Sequence, residues 1–283
     1  MHFFYGLRGV LASMVVLSCA SACSLVVDAG REQCSTDADC EALGQGLSGH
    51  ACVSSLCQPL PDPSWACLDE GTAAAPVAPP QVRIIVPFLN VISSQPTPGV
   101  NVLACERLDP DCQMPAAAGV SDDAGEVDLR LPGGFNGYLR WESEQIYPTL
   151  FFFGAPLMAD AIVPVNVITP QVFEGLNAQF EGATIDGRSA VVVSVRSCTG
   201  APGAGVTLSS AEGDRATRAY YMVDGLFPPS QTETSAAGLA RLINVPQGNV
   251  SITGRLANGR EIGTAAVLTR AGFATLTNLG PAR

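Results

Sequence analysis

Asp122-Asp123-Ala124-Gly125-Glu126-Val127-Asp128-Leu129-Arg130-Leu131-Pro132-Gly133-Gly134 holds a turn, a strand and a stop. Val127, Leu129 and Leu131 alternate with Asp128 and Arg130, so one face is apolar and the other charged. That is the pattern of a half-buried strand. Gly125 ends the turn before it. Pro132, which has no N–H for a ladder, and Gly133 close it. The same order returns in Thr234-Ser235-Ala236-Ala237-Gly238-Leu239-Ala240-Arg241-Leu242-Ile243-Asn244-Val245-Pro246-Gln247-Gly248. A shorter echo links Pro98-Gly99-Val100-Asn101-Val102 with Ala204-Gly205-Val206-Thr207-Leu208.

Outward from this repeat the chain keeps reading as strands. Val82–Val86, Tyr138–Trp141 and Leu150–Phe153 belong to the first half. Val191, Val193 and Val195, then Tyr220–Val223, Val250 with Ile252, and Ala265–Leu268 belong to the second. Turn residues separate them at sandwich-like intervals. One helix interrupts the pattern: Thr169 suits an N-cap, Pro170 the first helical position and Gly182 the stop. Val172, Phe173, Leu176 and Phe180 share its face at helical spacing, which predicts a packing helix between two β-segments.

The net charge of −11 opposes phosphate backbones, so no nucleic-acid partner is expected. Every basic residue is Arg; there is no Lys. Beyond residue 22 the one histidine is His50, in a Gly-rich stretch among cysteines. Gly-x-Ser-x-Gly, His-Glu-x-x-His and the P-loop pattern are absent. Neither an enzyme nor a cofactor is expected.

Weaker chemical readings stand beside plainer ones. Glu142 and Glu144 would share a face if a strand ran through them, and paired carboxylates serve glycosidases. Asp109 and Asp111 form another acidic cluster; Asp122, Asp123, Glu126 and Asp128 are candidate Ca²⁺ oxygens. Both groups read more simply as turns or solvated strand ends. Trp141, Tyr138 and Tyr147, or Tyr220 and Tyr221, would make a glycan-stacking surface; core packing is the default, because alternation buries one of each adjacent pair.

Ten cysteines are present. Setting aside Cys19 and Cys23 leaves an even set, the mark of disulfides in an exported chain. Cys34, Cys40, Cys52 and Cys57 allow three connectivities, and spacing does not choose among them. Zinc is the sharper alternative, but only Cys52-x4-Cys57 approaches a ligand pair. Cys105 and Cys112 predict a local bridge around Asp109-Pro110-Asp111. Cys67 and Cys198 pair by elimination.

The chain therefore divides into a signal (1–22), a tether (23–33), a cysteine-rich module (34–67), a Pro/Ala linker (68–80), a first β-sandwich (81–168), a connecting helix (169–182) and a second β-sandwich (183–283). In the signal, Arg8 precedes the apolar run Gly9–Leu17, too short to span a membrane, and Ala20-Ser21-Ala22 leads into Cys23.

Three resemblances refine this. Ala20-Ser21-Ala22-Cys23 resembles the lipobox of bacterial lipoproteins, which implies lipid on Cys23 and, with Ser24 following, an outer-membrane address on either face. Cys34-Ser35-Thr36-Asp37-Ala38-Asp39-Cys40 resembles cysteine modules of secreted myxobacterial proteins. The repeat, above all Gly205-Val206 and Asn244-Val245-Pro246-Gln247-Gly248, resembles the carboxypeptidase regulatory-like family. That resemblance implies transthyretin-like β-sandwiches that act as accessory modules without catalytic residues. The expectation is a mainly β, lipid-anchored envelope protein with a structural or interaction role, contacting an envelope protein or polysaccharide. A carbohydrate-binding module is the runner-up; a carboxylate-based glycoside hydrolase is the third reading.

Overall fold

The computed structural model describes residues 33–44, 50–59, 63–69, 76–180 and 185–281. The signal, Cys23 and Gly182 lie outside the described residues, as does linker segment 70–75. The chain forms two units, one within Met1–Leu60 and one within Pro61–Arg283.

In the first unit, helix α1 (Asp37–Ala42) precedes the hairpin of β1 (His50–Val53) and β2 (Leu56–Pro59). Ser54 and Ser55 at its tip have φ of 52° and 63°. Two consecutive positive φ values make the turn whose twist suits a hairpin. The Asp39 carboxylate accepts the N–H groups of Ser35 and Thr36, each at 2.7 Å. These bonds hold its pKa below the ordinary carboxylate value. Bridges Cys34–Cys52 and Cys40–Cys57 tie the helical segment to the hairpin. Cross-links thus replace an apolar core too small to hold the unit. His50, in its Gly-rich stretch, begins a strand.

The second unit contains β3 (Gln81–Asn90), β4 (Asn101–Cys105), β5 (Ala117–Val120), β6 (Glu126–Pro132), β7 (Tyr138–Ser143), β8 (Ile146–Phe152), β9 (Ala161–Ile162) and β10 (Val165–Val167). Helix α2 (Pro170–Asn177) follows. Then come β11 (Ser189–Val195), β12 (Val206–Ser210), β13 (Arg218–Tyr221), β14 (Leu239–Val245), β15 (Gly248–Leu256), β16 (Glu261–Thr269) and β17 (Ala274–Leu279). The repeat strands behave as read: burial alternates along all of β6, with Val127, Leu129 and Leu131 inward. On its outer face Asp128 meets Arg83 of β3 through three hydrogen bonds of 2.7–3.1 Å.

The fold is mainly β, in sandwich-like layers. A small sheet orders β10-β3-β6, with β9 also on β3. A second orders β12-β15-β16. Between them an eight-stranded sheet runs β13-β14-β11-β17-β8-β7-β4-β5. One core packs the small β3 sheet on β4, β7 and β8, through Ile84, Phe88, Val102, Leu129, Leu139 and Trp141. The other packs the β15 sheet on β11 and β14, through Val193, Leu242, Ile252 and Val267.

The two β-segments read from the sequence do not close separately. β17 lies between β11 and β8 and runs parallel to both, with Ala274 opposite Ala190 on one side and Thr149 on the other. One sheet therefore serves both halves. Its middle strands are covered on both faces: Leu139 and Trp141 enter the first core, whereas Tyr138, Leu150 and Phe152 enter the second. Pro148 sits inside β8 where its pairing with β7 shifts register, a place a sheet tolerates a missing N–H.

Helix α2 starts as its cap predicts: the Val172 N–H donates to Thr169 Oγ1 at 3.3 Å. It ends at Asn177, and it rests on the outer face of the shared sheet. Phe173 is its buried residue and stacks on Tyr147 of β8, ring centroids 3.7 Å apart.

Two more bridges staple this unit. Cys105–Cys112 closes the local loop, and Tyr138 caps it by donating its hydroxyl to the carbonyls of Asp109 and Pro110 at 2.8 and 3.1 Å. Cys67–Cys198 joins positions 131 residues apart. A 3₁₀ turn (Pro63–Asp69) carries Cys67, so this cysteine belongs to the second unit and not to the module before it. The turn inserts Trp65 into the second core, and the Cys198 N–H donates to the Ser64 carbonyl at 2.8 Å.

Candidate functional site

The aromatic pair read as a glycan-stacking surface is interior. Trp141 is 1% exposed and lies between Phe88 and Phe151, at 5.5 and 5.8 Å. Tyr138 is 0% exposed and stacks on Phe152 at 5.1 Å. Core packing was the default reading, and the doubly covered sheet buries both. Tyr221 is buried too, its hydroxyl oxygen accepting the Leu208 N–H at 2.8 Å, and Tyr220 packs against Phe180.

The carboxylate readings dissolve similarly. β7 ends at Ser143, so Glu144 lies in the turn and shares no strand face with Glu142. Glu142 is ion-paired with Arg140. Asp122 accepts the N–H groups of Ala124 and Glu126 at 3.0 and 2.9 Å, and Asp128 is held by Arg83. Both act within the turn and the strand. Among the described residues, the one close group of metal-ligand atom types is the sulfurs of Cys34, Cys40 and Cys57, all within 4.8 Å. All three are bonded in cystines and offer no thiolates for zinc.

A different place is shaped for binding. A cavity of about 220 Å³ opens between α2 and the sheet's outer face. Tyr147, Phe173 and Phe273 give it aromatic walls; Asn177, Asp186, Arg188 and Ser189 add polar groups. Its size suits one small group or sugar ring better than a drug-sized molecule. The repeat motif builds one wall. Asn244, at φ 55°, accepts the Ile185 N–H on Oδ1 at 2.9 Å, and Gln247 Nε2 donates to the Gly187 carbonyl at 2.8 Å. Arg188 is fixed by Asp214 at 2.6 Å, which lowers the Asp214 pKa.

Behind α2 lies Arg241 of β14, 2% exposed. Its guanidinium carbon sits 5.0 Å from the Phe173 ring centroid and 4.8 Å from that of Phe180, so it is held between two π-faces. One terminal nitrogen donates to Asn177 Oδ1. Its Nε has no hydrogen-bond partner, and no carboxylate among the described residues pairs with it. Burial pulls its pKa down to about 10, leaving it charged at neutral pH. Burial also pushes the Tyr147 phenol up, an effect that Arg241 partly opposes. No motif marks Arg241 in the sequence. The available signal was a charged residue inside the second repeat strand, at a position whose neighbours are apolar.

No protein family matches the chain, and neither does any curated protein. Solved structures give distant likenesses. The Bacillus anthracis TIE protein aligns at 10% identity with a TM-score of 0.25, covering 70% of this chain and 33% of that one. The chain thus spans a third of that protein's length. The shaft pilin SpaA of Lactobacillus rhamnosus GG aligns at 10% identity with a TM-score of 0.23, covering 71% of this chain and 97% of that one. GBS52, the minor pilin of Streptococcus agalactiae, aligns at 11% identity and 0.22, covering 70% and 95%.

Proposed function

We propose that this is an exported, lipid-anchored envelope protein with a structural or interaction role and no catalysis of its own. Cys23 carries the lipid, the outer membrane is the address, and an envelope protein or polysaccharide is the partner. One observation carries the reading: the second unit is a body of two sandwiches sharing one sheet, closed by a long-range disulfide. That build suits holding a surface in place outside the cell, where cystines persist. No helix among the described residues is long and apolar enough to cross a membrane, so a lipid would supply the attachment.

The test is the intact mass of membrane-extracted protein, before and after reduction with alkylation. The expected mass is Cys23–Arg283 plus acyl chains, with eight thiols appearing on reduction alone. A lipid-free mass would remove the anchor, and thiols free beforehand would remove the staples. The carbohydrate-binding alternative keeps one supporting observation, the aromatic-walled cavity under α2.

A further inference from the structure

We propose that the cavity under α2 is a carboxylate-binding site, with Asn177 as the hydrogen-bond donor and Arg241 as the buried positive charge behind it. The proposal rests on the interaction role and names the chemistry of one partner group, an acidic sugar or another small carboxylate.

A guanidinium almost wholly removed from water, with no carboxylate paired to it among the described residues, is a costly arrangement, because desolvation weighs most on an uncompensated charge. The two phenyl rings offset part of that cost, but each can present only a face. Asn177 accepts the Arg241 N–H through Oδ1. Its Nδ2 hydrogens are thereby turned away from the guanidinium and left for the cavity, which Asn177 lines. A donor polarised by a neighbouring cation binds an anion more strongly than an isolated amide does. Phe173 also lines the cavity, so the charge stands one ring behind the wall, where low permittivity extends its reach. The side-chain amide relays the charge while the guanidinium stays dry.

Polar and aromatic groups together select the ligand. Tyr147 and Phe273 offer apolar surface to a ring or short chain; Arg188 is engaged by Asp214 and the Asn244 carbonyl, and the Ser189 hydroxyl donates to the Phe273 carbonyl, which leaves Asn177 as the donor at the wall. A neutral sugar would gain the aromatic contacts without compensating Arg241. A carboxylate gains both.

The experiment is titration of isotope-labelled protein with D-glucuronate and, separately, with D-glucose, following the amide resonances of Gly187 and Gly272 and the side chain of Asn177. Glucuronate is expected to shift these resonances and saturate in the millimolar range, with glucose shifting them far less. Asn177→Ala should weaken glucuronate about tenfold or more, the loss of one charge-assisted bond. Arg241→Met should do the same if it folds, and Asn177→Ala decides the matter if it does not. Equal shifts with both sugars, no shift with either, or wild-type affinity in Asn177→Ala would each overturn the site. Those failures leave the anchored envelope role intact, since the mass measurement judges that separately.

Discussion

Gly203 has no room for a side chain. A Cβ there would stand 2.7 Å from Trp65 Cη2 and 2.9 Å from Val195 Cγ1. Trp65 is held by the 3₁₀ turn and the core, so it has little freedom to yield. Gly203→Ala should destabilise the second unit by roughly 1–3 kcal/mol, as overpacking does, with a shift in tryptophan emission. Denaturant melts followed by fluorescence check this, and an unchanged midpoint would refute it. The exposed carboxylates set the response to acid. Arg83 depresses the Asp128 pKa, Arg188 that of Asp214, and the Met114 N–H that of Asp109. Depressed acids contribute stability that is present above the usual carboxylate pKa of about 4 and lost as pH falls through the lower folded values. The thermal midpoint should therefore hold from neutral pH to about 4–5 and decline below it. Arg83→Met should return the Asp128 titration toward its ordinary value. At this scale the cysteine spacing was informative, since the even count and the tight Cys105–Cys112 pair follow from covalent reach. Trp65 and Arg241 were not legible, because their environments are assembled by strands far apart in sequence.

Among the elements, β6, β11 and β14 stand out in the sequence because aliphatic residues alternate with polar ones. β17 does not, although it joins the halves. Its inward positions include Thr275 and Thr277, 0% and 2% exposed, and a threonine reads as a surface residue in any hydropathy pattern. It can be buried because its hydroxyl finds a carbonyl: Thr275 Oγ1 donates to the Leu268 oxygen at 2.9 Å. Thr275→Val keeps the shape and removes that bond, and should cost about 1 kcal/mol by equilibrium unfolding. β5, β9 and β10 escaped notice for another reason: they are two to four residues long and carry too few apolar side chains to show a period. The helix was legible through Thr169 and Pro170, whose chemistry is local. The face it would cover was not, because Tyr147 and Arg241 come from strands on either side of it in the chain.

For the whole second unit, the shared sheet predicts one cooperative transition, since neither half can lose β8, β11 or β17 alone without uncovering the other. Two resolved transitions in calorimetry would contradict that. The staples should differ in weight. By loop-closure entropy the Cys67–Cys198 bridge, spanning 131 residues, contributes about 4–5 kcal/mol, and the seven-residue Cys105–Cys112 loop about 2–2.5 kcal/mol. Paired serine substitutions with denaturant melts would show the difference. The longer bridge also decides where force travels. A pull applied near Pro63 and resisted near Leu279 passes through the sulfurs from Cys67 to Cys198, and the segment between them forms a covalently closed loop that feels no tension along its backbone. The first sandwich and the carbon skeleton of α2 are thereby shielded from stretching. Held between those two points by optical tweezers, the reduced protein should extend roughly 450 Å further than the oxidised one on complete unfolding, the length of 131 residues drawn straight.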